Sequence, residues 1–481
     1  MQHERFPRAP DRFFIGGDWV APATDRRIEV ISPVTEAPLL SYPEAAAPDI
    51  DRAVAAARAA FDEGPWPRMA PAERAGYLRR IAALISARLE EIAQAWTAQV
   101  GAPIALTRKL VPQNATLFAH YAELAERHPF LDIRRRDDGG EVRVLREPVG
   151  VCAAIAPWNA PMVLMSYKIA AGLAAGCTMV AKPSPETPLE AYVLAECIEA
   201  AGLPRGVFNL VPAGPEGGEH LIRHPGIDKV AFTGSTAVGQ HIMRVCADRL
   251  ARVSLELGGK SAAVLLPDAE FARALPSLMV YSMPITGQVC FSLTRILVPE
   301  ARKREFLDMF LPAVQAIRVG DPSDTATQMG PLAMARQRAR VEGYIAAGRA
   351  AGARLVCRAH RLCRCHPGHD HRAGGDLRPG RLGDRLQRRG GRRPQGQRHP
   401  LRAERRGLCG RPGAGLRLCP ADADGGCDRQ RADRRSEASV RRLWRLRHGA
   451  RGGAGGAGGL PRGQDRPHGR LRCLRRSPAA P

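Results

Sequence analysis

A doubly wound α/β protein, with helices on both faces of a parallel sheet, is the fold class the sequence predicts. From Gly150 onward, short runs of strand length alternate with runs of helical period. The strand runs are apolar at successive positions, as strands buried on both faces are. Ahead of Gly150 helical patterning dominates, and one hairpin interrupts it.

Taken in order, Ile50 to Phe61 is alanine-rich and helical. Pro71 to Val100 places Leu78, Ile81, Leu84, Ile85, Leu89 and Ile92 near helical spacing. Asp132 to Glu147 reads as a hairpin, with Val142, Val144 and Leu145 following an Asp137-Asp138-Gly139-Gly140 turn. The alternation then runs Val151–Ala156 strand, Pro161–Ala175 helix, Thr178–Lys182 strand and Leu189–Ala201 helix. Next come Val207–Val211 strand, Gly217–Arg223 helix, Lys229–Thr233 strand and Ala237–Leu250 helix. Arg252 to Leu266 is strand-like again, with the paired glycines Gly258-Gly259 ending the strand that holds Glu256, and Lys303 to Ile317 is an amphipathic helix.

Whole-chain averages mislead. The formal net charge of +24 over 481 residues would suggest nucleic acid or an anionic membrane as partner. Nearly all of that excess lies in residues 358–481, where about 32 arginines meet about 10 acidic residues. That stretch contains no Ile, Lys, Phe, Tyr, Met, Asn or Thr, and too few apolar side chains to offset the entropy of ordering it. It is therefore expected to be aberrant or disordered. Its bias toward residues with G- or C-rich codons is what a G+C-rich gene read out of frame produces. No apolar run reaches membrane-span length and the start lacks a hydrophobic signal core, so a cytoplasmic protein is expected. Cys152, Cys177, Cys197, Cys246, Cys290 and Cys357 are scattered without metal-ligand spacing, and no metal is expected.

Three residues carry the chemistry. Alone, Cys290 in Gly287-Gln288-Val289-Cys290 reads as a buried thiol, and Glu256 in Leu255-Glu256-Leu257-Gly258-Gly259-Lys260 as half of an ion pair. Asn159 in Pro157-Trp158-Asn159 reads alone as a turn residue. Together they resemble the aldehyde dehydrogenase superfamily, whose cysteine follows a Gly-Gln-x pattern and whose base lies in a Glu-Leu-Gly-Gly-Lys segment. Here the two stand 34 residues apart, the family's interval. Ala181-Lys182-Pro183-Ser184 with Thr187-Pro188, Phe232-Thr233-Gly234-Ser235-Thr236 and Met329-Gly330-Pro331-Leu332 extend the likeness, collinear over about three quarters of the chain.

The resemblance implies a Rossmann-type cofactor domain in residues 1–127 and 148–258, and an oligomerisation hairpin in 128–147. It further implies a catalytic domain, incomplete, in 259–357, with 358–481 left as the aberrant tail. It implies oxidation of an aldehyde to a carboxylic acid with NAD, or NADP, as hydride acceptor. Cys290 would form the thiohemiacetal and thioester, and Asn159 with the Cys290 N–H would meet the oxyanion. Glu256 would activate the hydrolytic water, a step suited to a buried carboxylate, and Lys168 matches a family lysine nearby. Lys182 would reach the adenosine ribose, and Gly234 and Ser235 would open a helix toward the pyrophosphate. Ile155, Ala156, Pro157, Trp158, Pro183, Ser184, Gly214, Gly218, Phe232, Thr233, Leu257 and Gly258 match the cofactor cleft. Gln337 and Arg340 match a pair near the nicotinamide ribose. A glutamate that favours NAD in many members is replaced by Pro185, with Glu186 one place later, so the choice of cofactor leans only weakly to NAD. Ala160, Val163, Tyr167, Val289 and Phe291 match the aldehyde tunnel, an apolar channel with two aromatics.

The likeness stops near Cys357: the family's Glu-Glu-Ile-Phe-Gly-Pro motif is absent, and a Leu443–Gly453 stretch stands where a glycine-rich run belongs. A frameshift near codon 357 accounts for both. Expected partners are a small-molecule aldehyde and further copies of the chain, as dimer or tetramer; neither a membrane nor nucleic acid is expected. Two rival readings stay open: an Arg/Gly-rich nucleic-acid-binding extension on an inactive scaffold, and a CoA-acylating relative, which would not need Glu256. Cys363, Cys365, His366, His369 and His371 lack the regular spacing of a zinc site.

Overall fold

The computed structural model describes residues 11–354. Ahead of the first buried strand lie β1 (Phe13–Ile15), β2 (Asp18–Val20), β3 (Arg27–Ile31) and β4 (Pro38–Pro43). Helices follow: α1 (Ala47–Asp62), α2 (Pro71–Ser86), α3 (Leu89–Val100), α4 (Ile104–Leu110) and α5 (Pro112–Arg127). The hairpin is β5 (Leu131–Arg135) and β6 (Glu141–Leu145). The alternating stretch gives β7 (Val151–Ile155), α6 (Pro161–Ala174), β8 (Thr178–Lys182), α7 (Leu189–Ala200), β9 (Phe208–Leu210) and α8 (Pro215–Arg223). It continues with β10 (Lys229–Gly234), α9 (Thr236–Ala247) and β11 (Arg252–Leu257). Last come β12 (Ala262–Val264), α10 (Phe271–Ser282), β13 (Arg295–Leu297), α11 (Lys303–Gln315) and α12 (Ala335–Ala350).

Seven strands form the main sheet in the order β11-β10-β7-β8-β9-β1-β2, parallel from β11 to β9 and closed at the far edge by the antiparallel β1 and β2. Every residue of β7 and β8 is buried, as their unbroken apolar runs require. One core packs α2, α3, α5, α6 and α7 against one face of the sheet, and a second packs α1, α8 and α9 against the other. Doubly wound α/β architecture is therefore what the chain adopts. Gly150 fixes the entry to β7: its φ is +130°, and a Cβ there would lie 1.8 Å from Asp228 Oδ2. That carboxylate oxygen accepts the Val151 N–H at 2.8 Å, pinning the start of β7 beside β10.

Two segments differ from expectation. Pro71–Val100 is two helices, because the chain turns at Arg88, whose guanidinium is held by Glu91 at 2.7 Å and Glu196 at 2.6 Å. Arg252–Leu266 is two strands in two sheets: β11 edges the main sheet, whereas β12 pairs with β13 in a small parallel ribbon. The glycine pair Gly258-Gly259 makes the break. The hairpin pairs Leu131 with Leu145 through to Arg135 with Glu141, turning at Gly139 with φ +80°. No helix among the described residues is long and apolar enough to cross a membrane, and none of their His, Cys, Asp and Glu side chains form a metal-holding group. Cys357, the His/Cys cluster and the arginine-rich stretch lie outside the described residues.

Candidate active site

The site forms past the carboxyl ends of β7, β10 and β11, where open α/β sheets bind ligands. The sheet register sets Thr233 beside Glu256 and Phe232 beside Ile155. Beyond β7 the chain runs through Ala156-Pro157-Trp158 to Asn159, and Pro161 then starts α6. Asn159 is held at both ends. Its main-chain oxygen accepts from Trp96 Nε1 of α3 at 3.0 Å, and its Nδ2 donates to the Gln288 carbonyl at 2.6 Å. That second bond brings the amide to the Cys290 segment across 129 residues of sequence.

Cys290 is exposed, unlike the other four described cysteines, which are buried. Its carbonyl oxygen lies 3.4 Å from where a Cβ on Gly259 would stand, so the thiol segment also abuts the loop that follows Glu256. Glu256 itself is exposed, which corrects the expectation of a buried carboxylate. The reason is its place near the end of β11, an edge strand among the described residues, followed by Gly258, beside which a Cβ would meet nothing within 4 Å. Lys168 is no solvated helix charge: Nζ donates to Thr233 Oγ1 at 2.5 Å. Burial lowers its ammonium from 10.5 to about 8, and the facing charge of Glu256 partly opposes that shift. Asn159, the Cys290 segment, Glu256 and Lys168 therefore gather at one end of the sheet.

The residues expected at the cofactor cleft lie alongside. Ile155, Ala156, Phe232, Thr233, Lys182, Pro183 and Ser184 are buried, and Pro157 and Trp158 half-buried. Ser235 caps α9, its Oγ accepting the Val238 N–H at 3.4 Å, so the free N–H groups of a 12-residue helix open beside Gly234. The Phe232 ring lies over Gly234, where a Cβ would come within 2.4 Å of it, and Leu257 packs on Gly239. Lys182 runs past Gly218, whose Cβ would stand 3.3 Å from Cε. Burial lowers its ammonium to about 8, against the raising influence of Glu186 and Glu44. Glu44 accepts the Gly214 N–H at 3.1 Å and pairs with Arg26 at 3.0 Å. Bare backbone amides, a lysine and glycines with no room for side chains fit a dinucleotide.

Other expected positions are placed less closely. Gln337 is half-buried and Arg340 exposed on α12; the α12 residue that reaches the loop after β8 is Arg336, paired with Glu186. Glu186 also accepts from Ser184 Oγ, while the Pro185 carbonyl accepts from Tyr42 Oη at 2.7 Å. Of the residues expected to line an aldehyde tunnel, Val163 is buried, Ala160, Tyr167 and Val289 pack partly buried against the main core, and Phe291 is exposed. Gln113 Nε2 donates to Tyr167 Oη at 2.9 Å, adding a polar pair to that wall. Sequence reasoning missed Trp96, Gln113 and Glu44, which act through tertiary contacts and carry no local motif. Gln288 stood inside a motif whose pattern did not disclose its bonds.

Fold and site define a Rossmann-type α/β protein with a thiol, an amide and a carboxylate grouped past its strand ends. The model of the aldehyde dehydrogenase family matches residues 19–371, and the chain belongs to that family. Geranial dehydrogenase from Castellaniella defragrans is 45% identical over 344 residues, covering 71% of this chain and 72% of that protein. Among solved structures, an aldehyde dehydrogenase from Mycobacterium tuberculosis complexed with NAD+ has a TM-score of 0.71 and 44% identity, covering 73% of each chain. Aldehyde dehydrogenase C from Pseudomonas syringae, a cysteine-to-alanine variant in complex with NAD+ and octanal, has a TM-score of 0.71 and 40% identity over 74% of this chain and 73% of that one.

Proposed function

We propose that the chain oxidises an apolar aldehyde to its carboxylic acid, with NAD as hydride acceptor and Cys290 as nucleophile. The observation that carries this is the Asn159–Gln288 bond, which sets a side-chain amide beside the thiol segment. The Cys290 thiolate forms a C–S bond to the carbonyl carbon, and the charge passes to oxygen. The Asn159 side chain and the Cys290 main-chain N–H meet that charge. NAD, when bound, supplies the acceptor for the hydride. The thioester left on Cys290 is attacked by water that gives its proton to Glu256; the C–S bond breaks and acid and thiol are released. Exposure of Glu256 gives that water open access. Lys168 holds an ammonium facing this carboxylate, and Lys182 with the α9 N-terminus would hold the cofactor.

The NAD+ complexes of similar structures support NAD, and the octanal complex, with the apolar tunnel wall, supports a medium aliphatic aldehyde. Retention of Glu256 favours hydrolysis over transfer to CoA. Exposed Leu131, Ile133, Val142 and Leu145 on the hairpin support assembly with further copies of the chain, for which the elution volume on gel filtration is the check. Residues 358–481 read as an out-of-frame translation, and resequencing should recover a Glu-Ile-Phe-Gly-Pro-like motif in another frame.

The test of the activity is NADH formation by the full chain with octanal and NAD+. Octanoic acid and NADH in equal amounts are expected; no NADH, or an octanoyl-CoA product when CoA is added, would overturn the reading.

A further inference from the structure

We infer that Gln288 is the positioning residue that sets the direction of the Asn159 amide, through a left-handed turn clamped onto residues 330–333. The inference rests on the reading of Cys290 and Asn159 given above. A main-chain carbonyl only accepts hydrogen bonds. With Gln288 O at 2.6 Å from Nδ2, the Asn159 side chain is fixed with its NH2 toward the thiol segment and its Oδ1 turned away. One N–H is spent on Gln288, and the second, on the same nitrogen, remains for an oxyanion. Were the carbonyl to move, the amide could flip and offer Oδ1, an acceptor, to a developing negative charge.

What holds the carbonyl is the Gln288 side chain. Its Nε2 donates to Ile285 O at 3.1 Å, and its Oε1 accepts the Ala333 N–H at 3.0 Å. The bonds close a turn in which Ile285, Thr286 and Gly287 have φ of 48°, 57° and 75°. Left-handed backbone is unfavourable for two β-branched residues in succession, so it persists only where contacts over-determine it. Thr286 Oγ1 supplies another, donating to Gly330 O at 3.0 Å. Gly330 is itself fixed against the end of α3: a Cβ there would stand 1.9 Å from Gly101 O. The same helix carries Trp96, which holds the Asn159 main chain. Thus α3 fixes Asn159 directly and, through Gly330 and Gln288, fixes the acceptor that aims it.

The test reads thiohemiacetal formation without cofactor. Full-length protein is alkylated with iodoacetamide in the presence of graded octanal, and alkylation of the Cys290 peptide is followed by mass spectrometry. In wild type, octanal should protect Cys290. Asn159→Ala should weaken that protection about 100-fold. The near-isosteric Gln288→Met should weaken it similarly while leaving the alkylation rate without aldehyde unchanged. The double variant should lose no more than either single one, as groups acting in one chain do. Thr286→Val, which keeps volume, should give a smaller loss in the same direction and serves if Gln288→Met does not fold. Wild-type protection in both Gln288→Met and Thr286→Val, or losses that multiply in the double variant, would overturn the inference alone. Absence of octanal protection in wild type would sink the nucleophile assignment, and this inference with it.

Discussion

The main sheet and the region after it are built to different standards. In β7 and β8 every residue is buried, and cores on both faces close over them. From β12 to α12 the local apolar cluster holds four buried residues, Leu265, Phe271, Leu278 and Phe306, while Val264, Leu266, Val280, Tyr344 and Phe291 stand exposed. Helix α12 buries nothing. Stability is not uniform within a fold, and regions with few buried apolar contacts open first. The parts proposed to bind the dinucleotide therefore sit on the secure half, and Cys290, the proposed nucleophile, sits on the weaker half. The Asn159–Gln288 bond joins the two.

The comparison can be broken by mutation. Ile169→Ala, in the main core, should cost about 2–5 kcal/mol in chemical denaturation, whereas Val280→Ala, 63% exposed, should stay within about 0.5 kcal/mol. Equal losses would remove the contrast. Lys182 offers the next largest effect. Its ammonium titrates near 8 when folded against an ordinary 10.5, so between those values the unfolded chain holds more protons and stability rises with pH. Below about pH 8 the burial penalty is fully present. Lys182→Met should therefore stabilise the protein by about 3 kcal/mol at pH 7, with the gain gone near pH 10.5, while NAD+ binding measured by calorimetry weakens. A pH-independent gain would contradict the burial argument.

Much of the secure half was legible in the sequence because unbroken apolar runs and intervening helical periods are local signals. Thr178–Lys182 is strand as expected, and Pro161 begins a helix as expected. The glycine pair Gly258-Gly259 was legible as a strand end and a domain limit, but the pairing beyond it was not, since only tertiary contacts assign the two sides to different sheets. At the site, motif residues were legible by type, while their burial was not. Exposure of Glu256 follows from β11 being an edge strand among the described residues, which strand order decides and sequence does not. Trp96 was invisible for the same reason: its indole reaches Asn159 across 63 residues.

Smaller effects sharpen the picture at the junction. Between pH 7 and 9 the ammonium of Lys168, which faces Glu256, loses its proton. A turnover profile should bend near pH 8, and Lys168→Met should lack that bend; a profile unchanged by the substitution would detach Lys168 from the chemistry. Smallest of all, Arg336→Ala removes the ion pair between α12 and Glu186. The Arg336 side chain is 61% exposed, so the loss should be under about 1 kcal/mol, seen as faster amide exchange in residues 335–350.

One trapping measurement tests the site as a whole. Glu256→Gln, given octanal and NAD+ and then quenched in acid, should carry a single octanoyl group on the peptide holding Cys290, because the thioester forms and lacks its base. An acyl group on any other cysteine, or none on a variant that still releases one equivalent of NADH, would contradict a mechanism in which thiol and carboxylate share one catalytic centre.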